Sequence, residues 1–458
     1  MPSPDLQTLI GFQKKFFEQG KTISADFRIE QLRKLRKLIL AYENDIATAL
    51  KQDLGKSAFE AYATEIGIVL EEIRLFINNT KRWSKAVKVA DPLASFPSRS
   101  FILPEPHGVT LIIAPWNYPF QLAIAPLVAS VAAGNCSIIK PSEISTHTSK
   151  IIEKLINDHF EPEFLRVVNG DASVSQQLLQ LPFDMIFFTG SPRVGKLVMK
   201  AAAELLVPVV LELGGKSPVL VDETVNIDLA AKRIMWGKSI NAGQTCIAPD
   251  YVLVHHSVHD KLIDAMQKAV EGMYGKDLKK HPDFPRIING MNVLRMQQLM
   301  QGGKIVSGGE TDEAEKYVPL TIITHPNTDS ALMQEEIFGP LLPVVSYQTT
   351  EEAIAFIRQK PKPLAFYVFT NDRKRLKQIL TRVSAGGITV NDTIMHFTNG
   401  ALPFGGAGYS GIGSYHGKAG FAAFSHLKPV MKRATWLDIP LRYPPFGNKL
   451  KLIKAILR

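Results

Sequence analysis

Short apolar runs alternate with segments of helical periodicity through the middle of the chain. The apolar runs at residues 109–114, 137–140, 165–168, 185–189 and 207–211 have the length and composition of buried strands. The segments between them, such as 120–133 and 194–203, are long enough to form helices. Strands that alternate with helices in this way favour a parallel, doubly wound sheet with helices on both faces.

A second alternating region, from about residue 217 to residue 391, predicts a second sheet of the same kind. Strands are expected at 251–255 and 364–370, and helices at 229–241 and 351–359. Ahead of both regions, residues 91–106 contain four prolines and predict an extended connector or an edge-strand arm. The glycine-rich run 404–413 predicts a structured loop.

Residues 109–139 carry no formal charge over 31 positions, which exceeds the ~20 residues that span a bilayer. Three prolines and a Gly-Asn pair interrupt this stretch. A helix facing lipid would leave the backbone groups freed by these breaks without hydrogen-bond partners. We therefore expect a buried strand, helix and strand here rather than a membrane span.

The composition of the 458 residues, 45% hydrophobic and 21% charged, is that of a globular protein of two or three domains. The first 20 residues lack the apolar core of a signal peptide, and the chain has only two cysteines. Both observations predict a cytoplasmic protein.

The net charge of +10 is concentrated in residues 428–458, which hold eight basic residues and one acid. No basic–aromatic pattern or zinc spacing accompanies this charge, so nucleic acid is not expected as a partner. Residues 449–458 predict a short amphipathic helix with Leu450, Ile453 and Leu457 on one stripe and basic residues beside it. A helix packed on the body or on a partner subunit is favoured, and peripheral membrane contact is the alternative.

Two residues carry candidate catalytic chemistry. Cys246 follows Gly243 and small polar residues, as a nucleophile on a tight turn would, although a lone cysteine is more often a small buried hydrophobe. Glu212 ends an apolar strand and precedes two glycines, and a buried carboxylate costs free energy unless it is used or paired. Glu212 is therefore either a general base or the ion-pair partner of a lysine.

Three turns carry candidate ligand-binding groups. Gly190 and Ser191 lie between a predicted strand and a helix, where free N–H groups and the helix dipole favour phosphate. This spacing is not Gly-x-Gly-x-x-Gly, so dinucleotide binding does not follow from the pattern alone. Lys140 and Glu143 suit ribose hydroxyls, and Asn117 is an amide donor. The histidines at 255, 256 and 259 lack acid or thiol companions, so no metal site is expected.

Together these residues resemble a known family, because six motifs occur in the order and rough spacing of the NAD(P)-dependent aldehyde dehydrogenases. The motifs are Trp116-Asn117, Lys140-Pro-Ser-Glu143, Thr189-Gly-Ser191, Leu211-Glu-Leu-Gly-Gly-Lys216, Gly243-Gln-Thr-Cys246 and Glu336-Ile-Phe-Gly-Pro340. Residues 403–411 and 415–418 add to the resemblance, which covers nearly the whole chain. The short N-terminus, residues 246–250 and the basic ending resemble the class 3 or fatty-aldehyde branch.

The resemblance implies an α/β fold with two doubly wound parallel-sheet domains and a small β oligomerisation arm. Residues 1–84 and 107–212 would form a discontinuous cofactor-binding domain, and residues 213–396 the catalytic domain. Residues 85–106 and 420–458 would form the bridging arm and the basic tail. A homodimer that pairs through this arm is implied as well.

The resemblance also implies a role for each site residue. Cys246 would attack the aldehyde carbon, Asn117 and the Cys246 backbone N–H would hold the oxyanion, and Glu212 would activate the hydrolytic water. Lys140 and Glu143 would hold the adenosine ribose, Ser191 the pyrophosphate, and Glu336 with Phe338 the nicotinamide side. The remaining cofactor residues would be Trp116, Gly190, Gly195 and Leu213, and the apolar substrate pocket would include Tyr118, Trp236 and Ile394.

Glu143 should repel the 2′-phosphate of NADP while Lys140 offsets it, so NAD is expected to be preferred and NADP usable. The expected substrates are medium- to long-chain aliphatic or aromatic aldehydes. A semialdehyde or amino-aldehyde dehydrogenase is the alternative, and it would need a charged group aimed at the far end of the substrate. An inactive scaffold on the same fold is a third reading. The second cysteine, Cys136, is expected to be buried and inert.

Overall fold

The computed structural model describes residues 5–456, and its strands form three sheets. The strands are β1 Val87–Val89, β2 Ser98–Pro106, β3 Val109–Ile113, β4 Cys136–Lys140, β5 Leu165–Val167, β6 Met185–Gly190, β7 Val209–Leu213, β8 Pro218–Val221, β9 Tyr251–His255, β10 Lys304–Ser307, β11 Thr321–Thr324, β12 Leu341–Tyr347, β13 Ala365–Phe369, β14 Gly387–Val390, β15 Gly411–Ile412 and β16 Ser425–Arg433.

The α-helices connect and cover these strands. They are α1 Leu6–Glu18, α2 Ala25–Ala41, α3 Glu43–Leu54, α4 Ala58–Ala61, α5 Gly67–Trp83, α6 Gln121–Ala133, α7 Thr146–Asn157, α8 Ala172–Leu179, α9 Pro192–Leu205, α10 Ile227–Ser239, α11 His259–Tyr274, α12 Gly290–Met300, α13 Ala331–Gln334, α14 Thr350–Arg358, α15 Arg373–Arg382, α16 Gly417–Ala423 and α17 Lys449–Ile456.

The first sheet has six strands in the order β15-β7-β6-β3-β4-β5. Its pairs are parallel except for β15, which runs antiparallel to β7 at one edge. The charge-free stretch forms β3, α6 and β4 of this sheet, and every residue of these three elements is buried. The expected buried strand–helix–strand unit is thus present. Within residues 5–456 no helix is both long and apolar enough to cross a bilayer.

The second sheet has seven strands in the order β10-β11-β12-β9-β8-β13-β14. Its pairs are parallel except for β10, which runs antiparallel to β11. Two largely parallel sheets, each flanked by helices, confirm the doubly wound α/β fold that the alternating pattern predicted.

The third sheet is small and has the order β1-β2-β16. The proline-containing stretch is mostly strand β2, which pairs antiparallel with β16 from Ser98↔Arg433 to Pro106↔Ser425. This stretch is therefore a strand, but the expectation of an edge strand was wrong, because β2 lies between β1 and β16 and pairs with both. The division of the chain into domains and the role of this sheet as an oligomerisation arm remain predictions.

Three of the differences from the predicted elements have a visible cause. The strand expected at 207–211 lies at Val209–Leu213, because Val207 still donates its N–H to the carbonyl of Ala202 at the end of α9. The helix expected at 229–241 ends at Ser239, because Asn241 and Ala242 adopt left-handed backbone conformations. The glycine-rich loop also contributes β15, which pairs with β7 beside Glu212.

Candidate active site

The turn before Cys246 has an unusual backbone. Asn241, Ala242 and Gly243 all have positive φ, at 51°, 50° and 70°. Left-handed conformations cost a non-glycine residue roughly 1–2 kcal/mol each, so the surrounding structure must hold them in place. At Gly243 a Cβ atom would lie 2.7 Å from the carbonyl carbon of Gly339 and closer still to its oxygen. The close approach of these two backbones therefore requires glycine at position 243.

Three carboxamide side chains hold this turn. The Asn241 amide donates to the carbonyl of Asn117 at 2.7 Å, and the Asn117 amide donates to the carbonyl of Gln244 at 3.0 Å. The Gln244 amide closes the set by donating to the carbonyl of Asn241 at 2.9 Å. Asn117 thus lies against the nucleophile turn, and its second N–H remains for another acceptor. Sequence reasoning identified Asn117 but missed the supporting roles of Asn241 and Gln244.

Cys246 is half-buried and lies in the walls of two cavities. The first cavity, of about 430 Å³, has a largely apolar wall. All three predicted substrate-pocket residues, Tyr118, Trp236 and Ile394, line it together with the thiol. The aromatic rings of Phe397 and Phe404 line it as well, although sequence reasoning had missed them. This cavity suits an apolar aldehyde whose reactive end reaches Cys246.

The second cavity, of about 360 Å³, meets the first at Cys246. Glu212 and Asn117 line it, and so do six of the predicted cofactor residues: Trp116, Gly190, Ser191, Leu213, Glu336 and Phe338. The indole of Trp116 and the ring of Phe338 meet edge to face, with centroids 5.3 Å apart. The structure therefore brings both catalytic candidates and most of the cofactor candidates to one cavity.

Three predicted cofactor residues lie outside this cavity. Lys140 is buried at the end of β4, and its ammonium group contacts the Glu143 carboxylate at 3.0 Å. Gly195 lies in the first turn of α9, where a Cβ atom would come within 2.6 Å of the Leu213 side chain. The small size of Gly195 thus lets α9 pack closely on β7. The contact of Gly195 with the cofactor stays a prediction.

Several buried polar atoms at the second cavity have no hydrogen-bond partner within the described residues. They are both carboxylate oxygens of Glu212, the Thr189 hydroxyl and one carboxylate oxygen of Glu336. Helix α9 also begins there, and its cap residue Ser191 accepts from the N–H of Val194 at 3.4 Å. Free polar groups beside a helix N-terminus fit the hydroxyls and the phosphates of a dinucleotide.

Glu212 makes no salt bridge with any residue in the 5–456 range, so the ion-pair alternative finds no partner in the structure. Burial alone raises the pKa of its carboxyl well above the ordinary value. A carboxyl whose ionised form is disfavoured by burial has the raised basicity that a general base needs near neutral pH.

The Cys246 thiol is also shielded from water. Burial is the main cause that raises the pKa of the Cys246 thiol, and the negative charges of Glu336 and Glu212 raise this pKa further. Burial, followed by the charge of Asp250, raises the pKa of Glu336 to about 8. Cys246 is therefore a thiol at neutral pH, and its activation requires a proton acceptor in the same cavity.

Tyr415 is a further residue of interest that sequence reasoning did not single out. It is fully buried and lines both cavities, and its hydroxyl has no hydrogen-bond partner within the described residues. The only sequence signal was its position in the run Tyr415-His-Gly-Lys418, just after the glycine-rich loop. The two cavities thus share a wall residue, Tyr415, that lies 169 positions beyond Cys246 in the chain.

The sequence matches the aldehyde dehydrogenase family over residues 4–430. A 4,4'-diaponeurosporen-aldehyde dehydrogenase of Staphylococcus aureus is 49% identical over 447 residues, covering 97% of both chains. Rat aldehyde dehydrogenase family 3 member A2 is 44% identical over 94% of this chain and 90% of its own. A dimeric NADP-preferring aldehyde dehydrogenase of the dog is 44% identical over 95% of this chain and 96% of its own.

A solved structure, the substrate-bound state of Staphylococcus aureus AldH, superposes with a TM-score of 0.97. It is 48% identical in sequence, and the match covers 99% of this chain and all of that one. The sequence matches and the structural match thus point to the same family. The chain therefore belongs to the aldehyde dehydrogenase family, in its class 3 branch, and is an enzyme that oxidises aldehydes.

Proposed function

We propose that this enzyme oxidises medium- to long-chain aliphatic or aromatic aldehydes to carboxylic acids, with Cys246 as nucleophile and Glu212 as general base. The observation that carries the proposal is the position of Cys246, which lies where an apolar cavity meets a polar one that contains an unpaired, buried carboxylate. The 49% identical relative is named as a 4,4'-diaponeurosporen-aldehyde dehydrogenase, which supports an aldehyde as the substrate.

In the proposed reaction, the aldehyde enters the apolar cavity, the Cys246 thiol gives its proton to water, and the thiolate attacks the carbonyl carbon to give a thiohemiacetal oxyanion. The free N–H of the Asn117 amide and the backbone N–H of Cys246 stabilise the oxyanion, and loss of one such donor typically costs ~3–4 kcal/mol of barrier. A bound nicotinamide supplies the hydride acceptor. Glu212 then deprotonates the water that hydrolyses the resulting thioester on Cys246, which releases the acid.

The test is NADH formation by the wild type and by Cys246→Ala across a series of aldehydes of increasing chain length, with benzaldehyde included. Activity that rises with chain length and disappears in the variant would support both the thiol mechanism and the substrate class. Activity on short polar aldehydes alone would favour the semialdehyde or amino-aldehyde alternative. No activity with either cofactor would favour the inactive scaffold.

We propose NAD as the preferred cofactor and NADP as a usable one. The Glu143 carboxylate would repel a 2′-phosphate, and its contact with Lys140 at 3.0 Å reduces that repulsion. The NADP-preferring relative of the dog supports use of both cofactors within this branch. Glu143→Ser should raise kcat/KM for NADP relative to NAD, and an unchanged ratio would contradict this role for Glu143.

We also infer a homodimer. Among residues 5–456, no strand pairs with the outer edge of β16, and Leu427 and Met431 on this strand are about half exposed. An unpaired strand with exposed apolar side chains is a natural pairing surface. The dog relative is named as dimeric, which supports the same arrangement.

We propose that the protein is cytoplasmic and that its C-terminal tail makes peripheral contact with membranes. Leu450 and Leu452 on α17 are 60% and 57% exposed, beside Lys451 and Lys454. Leu457, part of the predicted apolar stripe, lies outside the described residues. A basic helix with exposed leucines can bind an anionic bilayer surface. Deletion of residues 448–458 should abolish co-sedimentation with anionic liposomes, and unchanged binding would contradict the proposal.

A further inference from the structure

The charges in the wall of the substrate cavity are all of one sign. Most of the lining side chains are apolar or aromatic, and the others are neutral polar groups apart from Glu60 and Asp283. No lysine or arginine of the described chain lines this cavity. A carboxylate at the far end of a substrate would therefore meet like charges and no counter-ion.

Asp283 lies at the solvent side of the cavity, where its side chain is 59% exposed. Glu60 lies deeper in the wall, half-buried, and its carboxylate accepts the N–H of Asn241 in the turn before Cys246. The negative charge of Asp283 also contributes to the raised pKa of Glu60, so the two carboxylates are close enough to interact. We call this pair, Glu60 and Asp283, the acidic mouth.

The charge of the acidic mouth is only partly offset by a nearby cation. The charge of Lys56 favours the ionised form of Glu60, but this ammonium group is fully buried and is paired with Glu65 at 2.5 Å. Glu60 makes no salt bridge in the described part of the chain; its carboxylate accepts the N–H of Asn241 at 2.6 Å. The Asp283 carboxylate lies 4.0 Å from the His281 ring, which is charged only when protonated.

We propose that the acidic mouth selects substrates by the charge of their far end, disfavouring aldehydes that end in a carboxylate and accepting neutral or cationic ones. Specificity of this kind comes from building repulsion against the wrong ligand as well as contacts with the right one. The proposal rests on the proposed function. The proposal separates the two members of the earlier alternative, a semialdehyde or amino-aldehyde dehydrogenase. Semialdehydes that bear a carboxylate become poor substrates, whereas aldehydes with a cationic end remain acceptable.

The test compares three aldehydes that have the same eight-carbon chain and differ at its far end: octanal, 8-oxooctanoate and 8-(trimethylammonio)octanal. The quaternary ammonium group cannot condense with an aldehyde, as a free amine would. Burial raises the pKa of Glu60 to about 7, so assays at about pH 8.5 and low salt keep it ionised. The variants are Glu60→Gln and Asp283→Asn, alone and combined. Glu30→Gln, at an exposed position on α2 outside the cavity, is the matched control.

The readout is the ratio of kcat/KM for octanal to that for 8-oxooctanoate, because a general change in the nucleophile turn would cancel in this ratio. We expect a wild-type ratio of about tenfold or more, which falls at least about threefold in the double variant and stays constant in Glu30→Gln. Sodium chloride at about 0.5 M should also lower the wild-type ratio, because it screens exposed charges. The cationic aldehyde should lose efficiency relative to octanal in the double variant.

A ratio that is the same in the wild type and the double variant would overturn the proposal, as would a wild type that oxidises 8-oxooctanoate as efficiently as octanal. Both outcomes would leave aldehyde oxidation itself intact. If the wild type instead forms no NADH with octanal, the proposed function fails and the charge selection fails with it, so the two failures are distinguishable.

Discussion

The chemistry of single residues in this enzyme depends on burial more than on specific partners. Glu212 is a buried carboxyl whose two oxygens find no hydrogen bond among the described residues, an arrangement that costs free energy in the folded state. Such a cost is typical of a group kept for catalysis, where a raised pKa suits a general base. Stability and activity should therefore respond in opposite directions when this carboxyl is replaced.

Replacement of Glu212 by Gln should separate the two halves of the reaction. We expect a burst of about one NADH per active site, followed by a steady-state rate lowered roughly 10²–10⁴-fold, because the amide cannot deprotonate the hydrolytic water. Stopped-flow absorbance at 340 nm measures both phases. Cys246→Ala is the control and should show no burst. A steady-state rate within tenfold of the wild type would rule out this role for Glu212.

The same variant should change how stability depends on pH. In the unfolded chain Glu212 ionises near pH 4.5, whereas burial keeps it protonated to higher pH in the folded chain. Its favourable contribution is thus complete below the unfolded pKa and is lost as the pH rises through the folded pKa. We expect Glu212→Gln to have a higher Tm than the wild type. The margin between the two Tm values should grow by roughly 1–2 °C from pH 5 to pH 9.

Differential scanning fluorimetry across this pH range measures the margin. Glu30→Gln removes an exposed carboxyl and should give a margin that does not change with pH. A constant margin for Glu212→Gln would mean that its pKa is the same in the folded and unfolded chains.

At the scale of elements, the turn 241–243 shows what a sequence can and cannot predict. The glycine at 243 and the cysteine three positions on indicated a tight turn before a nucleophile. The left-handed conformations of Asn241 and Ala242 were not predictable, because the turn is held by groups distant in the chain: the Asn117 carbonyl accepts from the Asn241 side chain, and the Gly339 backbone lies against Gly243. The helix expected to reach residue 241 ends early for that reason.

Gly243→Ala should therefore cost more than an ordinary left-handed glycine. The added methyl group would meet the Gly339 carbonyl, so we expect loss of most activity together with a lower Tm. Gly20→Ala is the matched control: its φ is 75° and its nearest new contact, with Ile23, is an ordinary 3.4 Å. That variant should keep full activity and show only the small cost of the backbone conformation. Equal effects of the two changes would show that the contact with Gly339 is unimportant.

At the scale of the whole molecule, the alternating strands and helices were predictable because each buried strand leaves its own apolar run in the sequence. The assembly of the site was not, because its two cavities draw walls from α4, the turn 241–243 and the segment around Tyr415, which have no sequence pattern in common. Glu60 illustrates the difficulty: nothing near position 60 indicates that it lies across from the nucleophile turn. Family motifs located the candidate catalytic groups, whereas the charges in the cavity wall required coordinates.

The free edge of β16 leads to a prediction about assembly. Light scattering after size exclusion should give a mass of about twice the 50.7 kDa of the chain. The double substitution Leu427→Arg and Met431→Arg should shift the protein toward the monomer, because it places charges on the pairing surface. Leu294→Arg, at an exposed position on α12, is the control and should leave the mass unchanged. A monomeric wild type would contradict the inferred dimer.

The meeting of two chambers at one sulfur atom also has a pharmacological consequence. A reversible inhibitor confined to the apolar chamber would displace the aldehyde yet leave the dinucleotide's affinity largely unaltered, since the two ligands share little wall beyond Leu122, Cys246, Phe404 and Tyr415. A compound long enough to pass this common wall would compete with both. The inhibition pattern against each ligand would then indicate how far a bound compound reaches past the thiol.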